Sequence, residues 1–142
     1  MPEDSKGITR RLIEEAYNDG RLETVDELFA ADAVAHDPAL QQDIVGTLAL
    51  REMIGAFRQG FPDLALLIED QIADADRVVV RWVVRGTHTG DLWGIAATGK
   101  EVTVTGTTTY RFSQGRIAES WANWDTIGLM QQLGVVPSAT RV

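Results

Sequence analysis

Residues 77–89 read Arg-Val-Val-Val-Arg-Trp-Val-Val-Arg-Gly-Thr-His-Thr, and residues 101–112 read Glu-Val-Thr-Val-Thr-Gly-Thr-Thr-Thr-Tyr-Arg-Phe. Ser113-Gln114-Gly115 then makes a tight turn into Arg116-Ile117-Ala118-Glu119-Ser120-Trp121-Ala122-Asn123-Trp124. The period is two, which is the period of β-strands. A further strand is predicted from Leu64 to Ile72, with Asp74-Ala75-Asp76 as its turn. Four strands in succession, joined by short connections, make an antiparallel meander.

Upstream the period is helical. Ile8, Leu12, Ile13 and Ala16 recur at helical spacing after Ser5, a candidate N-cap, and Asn18-Asp19-Gly20 stops the run. Leu22, Val25, Leu28 and Phe29 mark a second short helix. Leu50, Met53, Ile54 and Phe57 mark a third, bounded by Gly46-Thr47 and Gly60. Ala33 to His36 is a short β-compatible segment, ended by Asp37-Pro38 because a residue before proline avoids helix. A closing helix is predicted from about Thr126 to Leu133. Helices first and antiparallel strands afterwards give a segregated α+β fold. The 142 residues fit one domain, spanning 1–142.

Alternation places Val78, Val80, Trp82, Val84, Gly86 and His88 on one face of the second strand. Val102, Val104, Gly106, Thr108, Tyr110 and Phe112 share a face of the third, and Ile117, Glu119, Trp121, Asn123 and Asp125 share one of the fourth. The face with Trp82, Tyr110 and Trp121 is expected to meet the helices. His88, Thr108, Tyr110, Asn123 and Asp125 are polar groups on that apolar face, so they suggest a polar pocket inside an apolar cone. The opposite face mixes Val, Thr, Arg, Ala and Ser. That mixture suits a homodimer interface, or an ordinary solvated sheet face.

Composition narrows the function. Lys and Arg number 13 against 21 Asp and Glu, for a net charge of -8. That balance argues against nucleic acid as a partner. There is no cysteine and there are two histidines, so a thiolate nucleophile and a cysteine metal site are excluded, and no metal or other cofactor is expected. No apolar run approaches a membrane span and the N-terminus lacks the layout of a secretory signal, so no membrane partner is expected and a cytoplasmic location is the default.

Phe61-Pro62-Asp63, Gly86-Thr87-His88-Thr89-Gly90, Gly94-Ile95 and Thr98-Gly99-Lys100 occur in an order that resembles SnoaL-like proteins. So do His36-Asp37-Pro38, Tyr110-Arg111-Phe112, Gly115-Arg116-Ile117, Glu119, Trp121, Asp125, Gly128-Leu129 and Gln132-Leu133-Gly134. The resemblance implies a cone-shaped, curved antiparallel sheet around N-terminal helices, of the nuclear transport factor 2-like type, usually as a homodimer. It also implies a polyketide cyclase activity, ring closure by intramolecular aldol condensation, on a hydrophobic carbonyl-containing small molecule.

By that resemblance Asp125 is the acid/base catalyst, although an Asp directly before a helix is also an N-cap. His88 is the second catalytic candidate, donating to an oxyanion, or else a core-edge histidine held by backbone. His36 falls at the pocket rim or in a plain turn. Trp82, Trp93, Trp121 and Trp124 are candidate walls for a flat ligand, with Trp93 in a lid-like loop. Thr108, Tyr110 and Asn123 complete the expected substrate contacts, and Glu119 is expected to need an arginine partner. Isomerisation, epoxide hydrolysis and non-catalytic ligand binding are the competing uses of such a pocket.

Overall fold

The computed structural model describes residues 4–137. Helix α1 spans Ser5–Arg11 and continues as a π-helix over Leu12–Asn18; α2 is Thr24–Leu28. Strand β1 is Phe29–His36, β2 is Ile44–Val45, and α3 is Thr47–Gly60. Then come β3 (Ala65–Asp74), β4 (Arg77–Thr87), β5 (Glu101–Ser113), β6 (Arg116–Trp124) and α4 (Thr126–Leu133). One six-stranded sheet results, in the order β2-β1-β6-β5-β4-β3. All pairings are antiparallel except β1 with β6. The sheet curves around the helices and stays open, with β2 and β3 at its edges.

The α+β reading and its meander therefore stand, with local differences. Asp4, not Ser5, caps α1: its carboxylate accepts the Gly7 N–H at 2.6 Å. The predicted short strand begins four residues earlier, at Phe29. Strand β2, two residues long, carries too little pattern to be read from sequence.

Leu12, Ile13 and Ala16 of the first helix meet Val25, Leu50 and Ile54 beneath the sheet, where Val78, Val80 and Ile117 are fully buried. Each such aliphatic side chain contributes about 1.5–3 kcal/mol of burial energy. Gly106 has a specific task in this packing. A Cβ there would stand 2.5 Å from the Trp82 ring and 2.6 Å from Trp124 Cβ. Its absence lets the two indoles settle against the strand between them.

The largest departure from simple alternation lies in β6. Arg111 pairs with Glu119 while the next residue, Phe112, pairs with Ile117. Ala118 is thus an extra residue, a β-bulge, and such an insertion exchanges the faces of everything after it. Ser120, Ala122 and Trp124 turn toward the helices. Glu119, Trp121 and Asn123 turn to the outer face, which corrects the expected placement of Trp121 and Asn123.

On that outer face His36 stacks on Trp121 with ring centroids 5.6 Å apart. Its Nε2 lies 2.7 Å from Glu119 and its Nδ1 lies 2.8 Å from Asp43. Carboxylates accept hydrogen bonds, so this arrangement favours the doubly protonated ring, with both nitrogens as donors. Glu119 also accepts from Arg111 at 3.2 Å, the arginine partner its position requires. Arg77 lies over the Trp121 ring at 5.2 Å. The Glu119 and Asp43 hydrogen bonds raise the His36 pKa above its ordinary 6.5. His36 and Arg111 in turn lower the Glu119 pKa below 4.5.

Two outcomes are expected. Gly106→Ala should cost about 1–3 kcal/mol, the usual penalty of overpacking, read by urea unfolding; an unchanged midpoint would mean the indoles relax freely. The raised His36 value stabilises the fold fully below pH 6.5 and is lost as pH rises through the folded-state value. The lowered Glu119 value stabilises the fold above pH 4.5 and is lost as pH falls through its own folded value. Stability should therefore decline above pH 6.5 in the wild type, and His36→Ala should flatten that decline in the same urea series.

Candidate active site

Between the helices and the inner face of the sheet lies a cavity of about 120 Å³. Its wall is chiefly aliphatic and aromatic, with Leu12, Leu50, Ile54, Phe57 and Val104 among the lining residues. Polar groups are few, and each comes from a definable local feature.

Tyr17 comes from the π-helical segment. In an α-helix residues five apart diverge by about 140°. A π-helix bonds residues five apart, as in Asp19 N–H to Glu14 O at 3.0 Å. Leu12 and Tyr17, five apart, both reach the cavity. Tyr110 comes from the inner row of β5. Desolvation drives both phenol pKa values far above their ordinary value of 10.0. Both therefore stay protonated at neutral pH and act as hydroxyl donors.

Asp37 follows the end of β1, where Pro38 stops the strand. It is half-buried and is the carboxylate among the cavity-lining residues. Its Oδ1 accepts twice, from the Ala39 N–H at 2.9 Å and from Trp124 Nε1–H at 3.0 Å. These bonds fix the carboxylate by one oxygen and leave Oδ2 without a hydrogen-bond partner among the described residues. Trp82 makes a parallel contact, donating Nε1–H to Thr108 Oγ1 at 3.0 Å.

The expected site residues divide accordingly. Trp82, Thr108 and Tyr110 line the cavity. His36 borders it, yet its ring is bound on the outer face by Glu119 and Asp43. Trp121 and Asn123 are turned away by the Ala118 bulge. Asp125 lies past the strand end and is exposed. Its Oδ1 caps α4 by accepting the Gly128 N–H at 2.9 Å, and its carboxylate occupies the space a Cβ on Gly128 would need. The geometry of Asp125 is that of the N-cap alternative.

His88 is wholly buried but does not line the cavity. Its Nδ1 accepts the Thr98 N–H at 3.2 Å, and its main chain bonds Lys100 and Gly99. Nε2 has no hydrogen-bond partner among the described residues. The Phe61 ring, 5.3 Å from the His88 ring, faces the cavity in its stead. Asp63 of the same Phe-Pro-Asp run accepts from Thr87 N–H at 2.7 Å and from its hydroxyl at 2.8 Å. Those two bonds lower the Asp63 pKa and give this motif a structural role at the end of β4.

Four polar cavity residues escape the sequence reading: Tyr17, Asp37, and Arg85 and Ser120, which plain alternation puts on the opposite face. Tyr17 was hidden because helical periodicity passes over a residue that only a π-turn directs inward. Asp37 was visible in His36-Asp37-Pro38, but its proline neighbour suggested a turn. Among the described residues, no group of three or more His, Asp or Glu side chains is arranged to hold a metal ion. No helix there is long and apolar enough to cross a membrane.

Similarity to known proteins agrees with this architecture. A search of curated proteins finds no match. Among solved structures, IdmH of Streptomyces antibioticus, described as a candidate polyketide cyclase, is 30% identical, with a TM-score of 0.79. The match covers 93% of this chain and 99% of IdmH. TsrD of Streptomyces laurentii is 26% identical over 94% of this chain and 100% of its own, with a TM-score of 0.80. AclR of Streptomyces galilaeus, described as a candidate hydroxylase, is 25% identical over 96% of this chain and 84% of its own, at a TM-score of 0.83. The family model for SnoaL-like polyketide cyclases matches residues 7–133. The chain belongs to the SnoaL-like polyketide cyclase family.

Proposed function

We propose that the cavity carries out cofactor-free acid/base chemistry on an apolar, carbonyl-bearing small molecule, with Asp37 as the proton-transfer group. The observation that carries this is the Asp37 carboxylate, held through Oδ1 at an apolar cavity, with Oδ2 accepting no hydrogen bond among the described residues. A partly desolvated carboxylate is a competent base for a carbon flanked by two carbonyls. In an intramolecular aldol cyclisation Asp37 takes that proton, and the enolate carbon bonds to a second carbonyl of the same molecule. The new alkoxide then takes a proton back, so no co-reactant is consumed. Tyr17 and Tyr110 are the hydroxyl donors for the developing oxyanion.

This assignment replaces Asp125 with Asp37 and His88 with the two tyrosines. Isomerisation would begin with the same proton abstraction and differs only in where the proton returns. Epoxide hydrolysis would require an arginine and a second carboxylate on the reacting water; Arg85 is among the lining residues, but Asp37 is the one carboxylate there among the described residues.

We also propose that the outer face of the sheet joins two copies of the chain. Leu67 and Ile72, 47% and 65% exposed, stand beside Val83 and Val79 there, and an apolar stripe of this kind is typical of subunit contacts.

Wild-type protein should accelerate deuterium exchange at the carbon between the carbonyls of an aryl β-ketoester, and Asp37→Asn should reduce that rate by about 10²–10⁴-fold. Equal rates in the two proteins would refute the assignment. Light scattering should return twice the chain mass, and Ile72→Asp with Leu67→Asp should return one; a monomeric wild type would sink the dimer.

A further inference from the structure

The cavity is small for its proposed task. Sites for drug-sized ligands usually enclose ~300–1,000 Å³, against about 120 Å³ here. A ring-bearing substrate needs more room than this, and the aromatic cluster of Phe57, Trp93 and Trp124 is where room can be made.

Phe57 and Trp124 line the cavity and meet edge to face at 6.1 Å. Trp93 touches both from outside, at 5.3 Å from Phe57 and 6.4 Å from Trp124. It does not line the cavity and is 40% exposed, so its indole stands between that wall and solvent. The backbone that presents it is fixed. Leu92 and Ile95 bond each other at 3.0 and 2.8 Å, the Asp91 carboxylate accepts the Gly94 N–H at 3.0 Å, and Leu92 is fully buried. Gly90 packs on the Gln59 and Gly60 backbone.

Trp93 and Gly94 have φ of +51° and +84°, the pattern of a type I′ turn, which favours Asn-Gly. A bulky side chain in this left-handed conformation is strained, and such strain points to function when the surroundings over-determine it. With the turn rigid, the remaining freedom is rotation of the Trp93 side chain. Trp124, which the indole covers, donates to Asp37.

We propose that the Trp93 indole is a side-chain gate on the cavity, and that Trp124 relays its position to the Asp37 carboxylate. When the indole swings out, the Phe57 and Trp124 rings lose their outer cover and part to admit a flat ring of the substrate into the cavity. When it swings back, water is excluded and the Trp124–Asp37 bond is set. The inference rests on the cavity being the substrate site.

The test uses prodan, a neutral flat naphthyl ketone whose emission rises in apolar surroundings, and reads no turnover. Stopped-flow uptake and release are expected to be roughly tenfold or more faster in Trp93→Gly than in wild type, with a smaller change in Kd. Glycine suits the positive φ at this position, and Trp93→Asn, which also tolerates it, is the second variant. Trp93→Phe should restore slow exchange.

The four tryptophans each give an indole N–H resonance. Prodan should shift those of Trp82, Trp93 and Trp124 and leave that of Trp121, on the outer face. The Trp124 resonance should also move in ligand-free Trp93→Gly. Equal rates in wild type and both open variants, no uptake by any of them, or an unmoved Trp124 resonance would overturn the gate. Loss of the gate would leave the Asp37→Asn exchange result standing, and failure of that exchange assay would leave the uptake rates readable.

Discussion

One extra residue in β6 decides what each side of this sheet can do. With Ala118 bulged out, the strand exchanges its faces between Ile117 and Glu119. Trp124 thereby comes inward, where its indole reaches Asp37. Trp121 goes outward, where it supports His36 and lies under Arg77. Were Ala118 instead paired in regular register with Arg111, Glu119 would enter the apolar interior beside Tyr110, away from Arg111 and His36. Burying that charge without its partners would cost several kcal/mol. The bulge is thus an electrostatic necessity as much as a geometric one.

Much of the architecture was legible in the chain, and the reasons are local. Each long strand advertises itself by alternation, and Ser113-Gln114-Gly115 joins two of them with little freedom of register. For the same reason Trp82, Thr108 and Tyr110 lie where alternation puts them, whereas His88, beyond the end of β4, does not reach the cavity and Arg85 does. Alternation fails after a bulge, and nothing in Ile117-Ala118-Glu119 marks one. Unbroken alternation therefore places the outer row of β6 in the pocket, Asp125 with it. The family resemblance pointed to the same aspartate, whose carboxylate in this structure is engaged at the start of α4.

Two of the interior residues that were missed share a cause. Tyr17 and Asp37 both sit where a regular element departs from its period, one in a π-turn and one past a strand end. Irregular backbone is where side chains can be aimed independently of their neighbours, and π-segments recur at functional sites for that reason. The two sides of the sheet also divide the electrostatic labour. Charged groups pair with one another on the outside, while the cavity lining holds one anchored carboxylate among phenols, indoles and the Thr108 and Ser120 hydroxyls, with Arg85 and His36 at its border.

His36 and Asp37 are neighbours in the chain and stand on opposite sides of the sheet. One ring is gripped by Glu119 and Asp43, and the adjoining carboxylate by Trp124 and Ala39. A single peptide bond therefore acts as a short lever through the wall. The hydrogen bonds that fix the imidazole outside thus also fix the stretch of chain from which the carboxylate extends.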